Sequence, residues 1–169
     1  MERVIDFTKG YSFNEYLEKG YEEERDRQRR ACSRAVFSPA FEEAAWNVNK
    51  PLKLAAFAEI YCPDSVVTMS FVHRIAELNP KIELAVFPRS PFEKELEALT
   101  GSSRIPTLLF FDEKMNLAGS YVELPKALKE DMRDLDAGEK SALILDYRRG
   151  KYNDILQAEL TEILSLFAS

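Results

Sequence analysis

From Leu52 to Tyr61 apolar positions run almost unbroken. Leu54, Ala55, Ala56, Phe57, Ala58 and Ile60 are interrupted only by Lys53 and Glu59, which predicts a buried strand. Directly after it, Val67, Phe71, Ile75 and Leu78 recur at spacings of four, four and three, one face of a helix. Ile82, Leu84, Val86 and Phe87 predict a second strand ended by Pro88. Pro91 then opens a helix carrying Phe92, Leu96 and Leu99, which Gly101 stops. Ile105 to Phe111 is continuously apolar, as expected of a central strand buried on both faces. Asp112 to Asn116 turns the chain, Leu117 to Val122 returns as an antiparallel partner, and Pro125 starts a helix with Ala127, Leu128 and Met132.

The flanks read as helical. Ser12-Phe13-Asn14-Glu15 fits a capping box, with Phe13, Tyr16 and Leu17 as the buried stripe and Gly20 as a stop. Glu22 to Arg34 places acids first and bases last, matching the helix dipole; it reads as a solvated face or a binding surface. Ser38 and Pro39 mark another start, with Phe41, Ala44, Ala45 and Trp46 on its apolar side. After the core, one helix spans about 139–149, and Tyr152, Leu156, Leu160, Ile163 and Phe167 form the stripe of another. The chain thus divides into an N-terminal helical extension (1–49), an α/β core (50–132) and a C-terminal helical extension (133–169), expected to form one compact domain. The extensions are expected to cover the sheet, restrict a groove or make a homodimer contact, the first being the default.

Charge and composition remove whole classes of function. A net charge of −6 argues against a nucleic-acid partner, whose footprint would be basic. No apolar run approaches the ~20 residues of a membrane span, and Met1-Glu2-Arg3-Val4-Ile5-Asp6 lacks the basic-then-apolar pattern of a secretion signal. Two cysteines thirty positions apart, Cys32 and Cys62, are not a disulfide framework, so a cytoplasmic location is expected. No Cys/His spacing suits zinc and no glycine-rich phosphate loop is present, so neither metal nor cofactor is expected.

The chemistry concentrates at Tyr61-Cys62-Pro63-Asp64-Ser65, where strand meets helix. Cys62 falls at the helix N-cap and Pro63 at the first helical position, where its missing N–H costs nothing. The orphan N–H groups and positive dipole end then face the sulfur and favour a reactive thiol. The other reading of Cys62 is an inert buried cysteine. Asp64 suits a helix N-terminus, yet its charge opposes ionisation of the neighbouring sulfur. His73, about 16 Å further along the helix axis, is too far to serve as the thiol's base. Cys32 reads as a small core residue, or as a resolving thiol if its helix folds over Cys62.

A strand, then Cys-x-x-Ser at a helix start, then Arg104-Ile105-Pro106-Thr107-Leu108-Leu109-Phe110-Phe111 with Pro106 forty-four residues after Cys62, resembles the thioredoxin-like superfamily. The resemblance covers about 50–132, and the flanks resemble the helical extensions of bacterial "thioredoxin family" proteins. It implies a thioredoxin fold: a central mixed sheet of about four strands flanked by helices. It implies that Cys62 attacks a disulfide, and that Pro106 is cis, so that Ile105 offers backbone groups to an extended peptide. Tyr61, Pro63, Asp64, Ile105 and Pro106 would form the substrate groove, with Tyr61 replacing the family's tryptophan; Thr107 is a groove or a strand residue. Ser65 departs from the family's second cysteine, and Ala56 from its buried aspartate. A serine cannot resolve a mixed disulfide, but it could donate a hydrogen bond to the Cys62 sulfur. Three readings follow: a monothiol oxidoreductase acting on protein or low-molecular-weight thiols and disulfides, a redox-silent peptide-binding protein, or a dithiol reductase whose second cysteine was changed to Ser65.

Overall fold

The computed structural model describes residues 5–168; the expectation drawn from residues 1–6 about a secretion signal falls mostly on residues 1–4, which lie outside the described residues. In chain order the elements are a 3-10 turn (Phe7–Lys9), α1 (Phe13–Glu18), α2 (Glu22–Arg34), α3 (Pro39–Trp46), β1 (Leu52–Phe57), α4 (Pro63–Leu78), β2 (Ile82–Phe87), α5 (Glu93–Thr100), β3 (Thr107–Phe111), β4 (Leu117–Val122), α6 (Lys126–Met132), α7 (Ala137–Arg148) and α8 (Asn153–Ser165). The strands form one mixed sheet in the order β2-β1-β3-β4. β1 runs parallel to β2, reached through α4, and antiparallel to β3, which pairs antiparallel with β4.

Period-two alternation sorts the strand residues onto two cores. Leu54, Ala56, Leu108 and Phe110 face α4 and the helical extensions, while Ala55, Phe57, Leu109 and Phe111 face α5 and the N-terminal segment. On the second face Phe57 and Phe87 stack at 5.0 Å, and Phe92 meets both edge-on at 5.5 and 5.4 Å. Such ring arrangements add to simple area burial.

Both predicted capping sites hold. Ser12 accepts from the Glu15 N–H while the Glu15 side chain accepts from the Ser12 N–H, and Ser38 accepts from the Phe41 N–H with Pro39 beside it. Gly101 closes α5 with φ at +81°, a left-handed position suited to glycine.

Several expectations need correction. β1 stops at Phe57 rather than Tyr61, because the chain turns: Ala58 N–H still donates to Phe87, but Cys62 N–H folds back to the Glu59 carbonyl. β3 begins at Thr107, since the proline before it has no N–H for a ladder. α5 begins at Glu93, after Phe92 N–H turns back to the Arg89 carbonyl. Trp46 is 58% exposed, because Phe41, Ala45 and Val48 already point inward. In α8 Leu164 is buried with Leu156 and Leu160, while Ile163 is only half-buried.

The N-terminal extension is not wholly helical. Tyr11 forms an isolated antiparallel bridge with Val86, exchanging bonds of 2.7 and 2.8 Å at the β2 edge. Gly10 permits that approach, since a Cβ there would lie 2.5 Å from that of Ala85.

The extensions do more than cover the sheet. α4 is buried continuously from Ser65 to Val72, around its circumference, because α2, α3 and α7 close the face turned away from the sheet. Three buried amides fasten these layers. Gln28 donates to the Val66 carbonyl and the Ser70 hydroxyl, Gln157 accepts from Ser38 N–H and donates to the Val36 carbonyl, and Asn79 donates to the carbonyls of Ala45, Trp46 and Val48. Arg74 on α4 is ion-paired with Glu42 on α3. Among the described residues no helix is long and apolar enough to cross a membrane.

Candidate functional site

Cys62 is the N-cap of α4, with extended backbone (φ −80°, ψ 118°) and a carbonyl that accepts the first helical bond from Val66. Pro63 occupies the first helical position, as its residue type predicts. The Cys62 thiol is free and half-buried and makes no capping bond. The loop that carries it is clamped from the N-terminal extension: Arg27 donates to the carbonyls of Ile60 and Tyr61, both at 3.2 Å. Tyr61 is 62% exposed beside the sulfur-bearing residue.

Ser65 does not hold the sulfur. Its hydroxyl is fully buried and accepts from the Glu59 N–H at 3.4 Å, so it ties the turn before the helix to the helix's first turn. Asp64 is engaged as well. Arg148, at the end of α7, donates Nε and an Nη to its two carboxylate oxygens at 2.9 and 3.3 Å, a bidentate pair. The Asp64 side chain is 13% exposed and that of Arg148 39%. The arginine's pKa is raised above its ordinary value, first by the hydrogen bond to Asp64 and then by that carboxylate's charge and the nearby Cys62 sulfur. A cation from the C-terminal extension thus pairs with the carboxylate two positions after the cysteine.

Ile105 and Pro106 reach the same end of the sheet. β1 and β3 pair antiparallel with Phe57 opposite Thr107, so the loop leaving β1 and the segment entering β3 are neighbours. The Ile105-Pro106 bond is cis, as the resemblance implies, and Ser90-Pro91 is cis as well. The Pro106 carbonyl accepts from Glu123 N–H at 2.7 Å. The Ile105 N–H and carbonyl have no partner among the described residues, which leaves them free for an added strand. Thr107 is buried, its hydroxyl turned to the Arg104 carbonyl at 2.6 Å; it is a strand residue.

Two residues that the sequence offered only as packing or strand positions, Tyr16 and Glu59, lie beside the cysteine. The Tyr16 hydroxyl is buried without a hydrogen-bond partner; burial, then the Cys62 and Glu59 charges, push its pKa up. Burial likewise raises the Glu59 carboxyl, against an opposing bond from the Arg89 backbone N–H. The one signal for Glu59 was its place as an acid inside an apolar run. Arg148 gave none, lying 84 residues from Asp64.

Cys32 does not meet Cys62. It sits under Gln28 and Ser70, and Ser70 is about 12 Å along α4 from Cys62. Its thiol pKa is pushed up, chiefly by burial. His73 stacks on Phe13 at 4.0 Å, far from the sulfur. Among the described residues no cluster of three metal-ligating side chains occurs.

The sequence profile of a family described as Thioredoxin matches residues 10–137, taking in α1 to α3 as well as the sheet. In three dimensions the chain is similar to a Pseudomonas aeruginosa protein of unknown function, with a TM-score of 0.79 at 23% identity over 94% of this chain and 93% of that one. It is similar also to an HIV epitope-scaffold, with a TM-score of 0.78 at 23% identity over 94% of each chain. Likeness at this identity concerns the fold alone. No curated protein matches the chain in sequence.

Proposed function

The chain belongs to the thioredoxin family, and on that premise we propose that it is a thiol–disulfide oxidoreductase working through one cysteine, Cys62. The observation that carries this reading is the sulfur's position: a half-buried, uncapped thiol at the N-cap of a sixteen-residue helix, where orphan N–H groups and the dipole favour negative charge. The Cys62 thiolate attacks one sulfur of a substrate disulfide. A bond forms between Cys62 and that sulfur, the substrate S–S bond breaks, and the other sulfur leaves with the electron pair and takes a proton from solvent. An external low-molecular-weight thiolate then attacks the substrate sulfur, forms a new disulfide with it and releases Cys62. Ser65 takes no part in resolution; it shapes the turn through Glu59.

Substrates are protein or low-molecular-weight disulfides. Tyr61, Pro63 and Asp64 line one side of the approach, and Ile105 and Pro106 the other. The test is exposure of the Cys32→Ala protein to 2-hydroxyethyl disulfide, followed by mass spectrometry and addition of excess reduced thiol. A mixed disulfide on Cys62 that the added thiol releases is expected. An inert Cys62 overturns the redox reading. The free Ile105 backbone and exposed Tyr61 then favour the second one, a redox-silent groove for an extended peptide.

A further inference from the structure

Beside the start of α4 a cavity of about 610 Å³ opens between α2, α4 and the end of α7. Its polar lining is dominated by five arginines: Arg27, Arg30 and Arg34 from α2, Arg148 from α7 and Arg149 just after it. The three on α2 are spaced i, i+3, i+7 and so share one helix face. Among the described residues no carboxylate and no lysine lines the cavity. Its floor is apolar, built by Val66, Val67 and Phe71 of α4, and the small side chains of Ala31 and Ala35 leave the room. Pro63, the residue after Cys62, stands at its edge.

Two of the guanidinium groups have internal work. Arg148 holds Asp64, and Arg27 holds the loop carbonyls while its Nε stays buried without a partner. Arg30, Arg34 and Arg149 are exposed and have no carboxylate partner among the described residues. A helix dipole accounts for a cation at the last turn of α2 or of α7; it does not account for both facing one cavity with three more. In a protein of net charge −6, so many converging cations repel one another unless an anion lies between them. Guanidinium forks match carboxylate and phosphate oxygens two at a time, and the volume falls in the range of small-molecule sites.

We propose that this cavity binds the anionic part of a low-molecular-weight thiol or its disulfide, a molecule carrying at least two carboxylate or phosphate groups, and delivers its sulfur to Cys62. The exchange at Cys62 rests on the monothiol reading and follows the same two thiolate displacements; the binding does not depend on it.

The experiment uses the full chain with Cys32→Ala. Rates of mixed-disulfide formation at Cys62 are compared for glutathione disulfide (carboxylates), coenzyme A disulfide (phosphates) and neutral 2-hydroxyethyl disulfide, each divided by its rate with a free thiol. At least one anionic disulfide should be favoured over the neutral one by roughly tenfold at low salt. That ratio should fall to about one in Arg30→Gln/Arg34→Gln/Arg149→Gln. It should persist in Lys50→Gln/Lys94→Gln/Lys114→Gln, which changes net charge equally at exposed sites elsewhere. In parallel, calorimetry reads binding of S-methylglutathione and desulfo-coenzyme A, which lack a reactive thiol. Arginine-dependent binding without any reaction at Cys62 supports the cavity and removes the redox reading. Reaction with the neutral disulfide, no anionic preference and no binding of either probe overturn the cavity and leave the redox reading standing.

Discussion

An ion pair lies next to the Cys62 sulfur. Arg148 interacts with both the sulfur and Asp64, and the two charged side chains hold each other. Removing either therefore shifts thiol reactivity in opposite directions. In a Cys32→Ala background, Arg148→Met should slow iodoacetamide alkylation of Cys62 at neutral pH several-fold, since it removes the cation and frees the carboxylate. Asp64→Asn should speed it by a smaller factor. Glu59 allows a pH test. Its folded pKa lies above the ordinary 4.5, burial being the main cause. The proton it holds favours the folded state, so its contribution is fully present below pH 4.5 and lost as pH rises through the raised value. Glu59→Gln should therefore raise the melting temperature at pH 7 and leave it unchanged below pH 4. At this scale Cys62, Pro63 and the cis Pro106 were legible because each belongs to a short local motif. Arg148 and Arg27 were not, since they reach the site from helices remote in sequence.

Among the elements, those with local start and stop chemistry were readable in the sequence. Ser12, Ser38 and Gly101 mark helix ends through bonds within four residues, and these held. Boundaries set by partners elsewhere did not: β1 ends early because the chain turns at Glu59, and Trp46 faces solvent because neighbouring helical positions fill the core. The buried amides were equally opaque, since nothing in the sequence distinguishes Asn79 from a surface asparagine. Yet Asn79 bonds three carbonyls at the end of α3 while its own carbonyl oxygen accepts from Lys81 N–H. Asn79→Ala leaves those buried carbonyls short of a donor and should cost about 1–3 kcal/mol in urea unfolding. Asn79→Asp should do no better, since a carboxylate cannot donate.

For the whole molecule, the division into core and extensions describes the sequence better than the energetics. Leu156, Leu160, Leu164 and Phe167 of the C-terminal segment share one core with Leu54, Phe71 and Phe110. Leu160→Ala should accordingly cost about 2–5 kcal/mol, as for any central position, measured by denaturant melts with an unchanged m-value. A chain ending at residue 132 should lack a cooperative thermal transition and bind a hydrophobic dye.

The enclosure of α4 also has a kinetic meaning. A helix wrapped on every side exposes its amides only when the layers around it separate, so Val66 to Val72 should exchange hydrogen for deuterium at the rate of global opening. The turn at Glu59 to Tyr61, held by side chains rather than by a ladder, should exchange far sooner. On that expectation the cysteine marks the boundary between a slowly exchanging segment and a faster one, and a partner would reshape the approach to the sulfur without moving the helix that aims it.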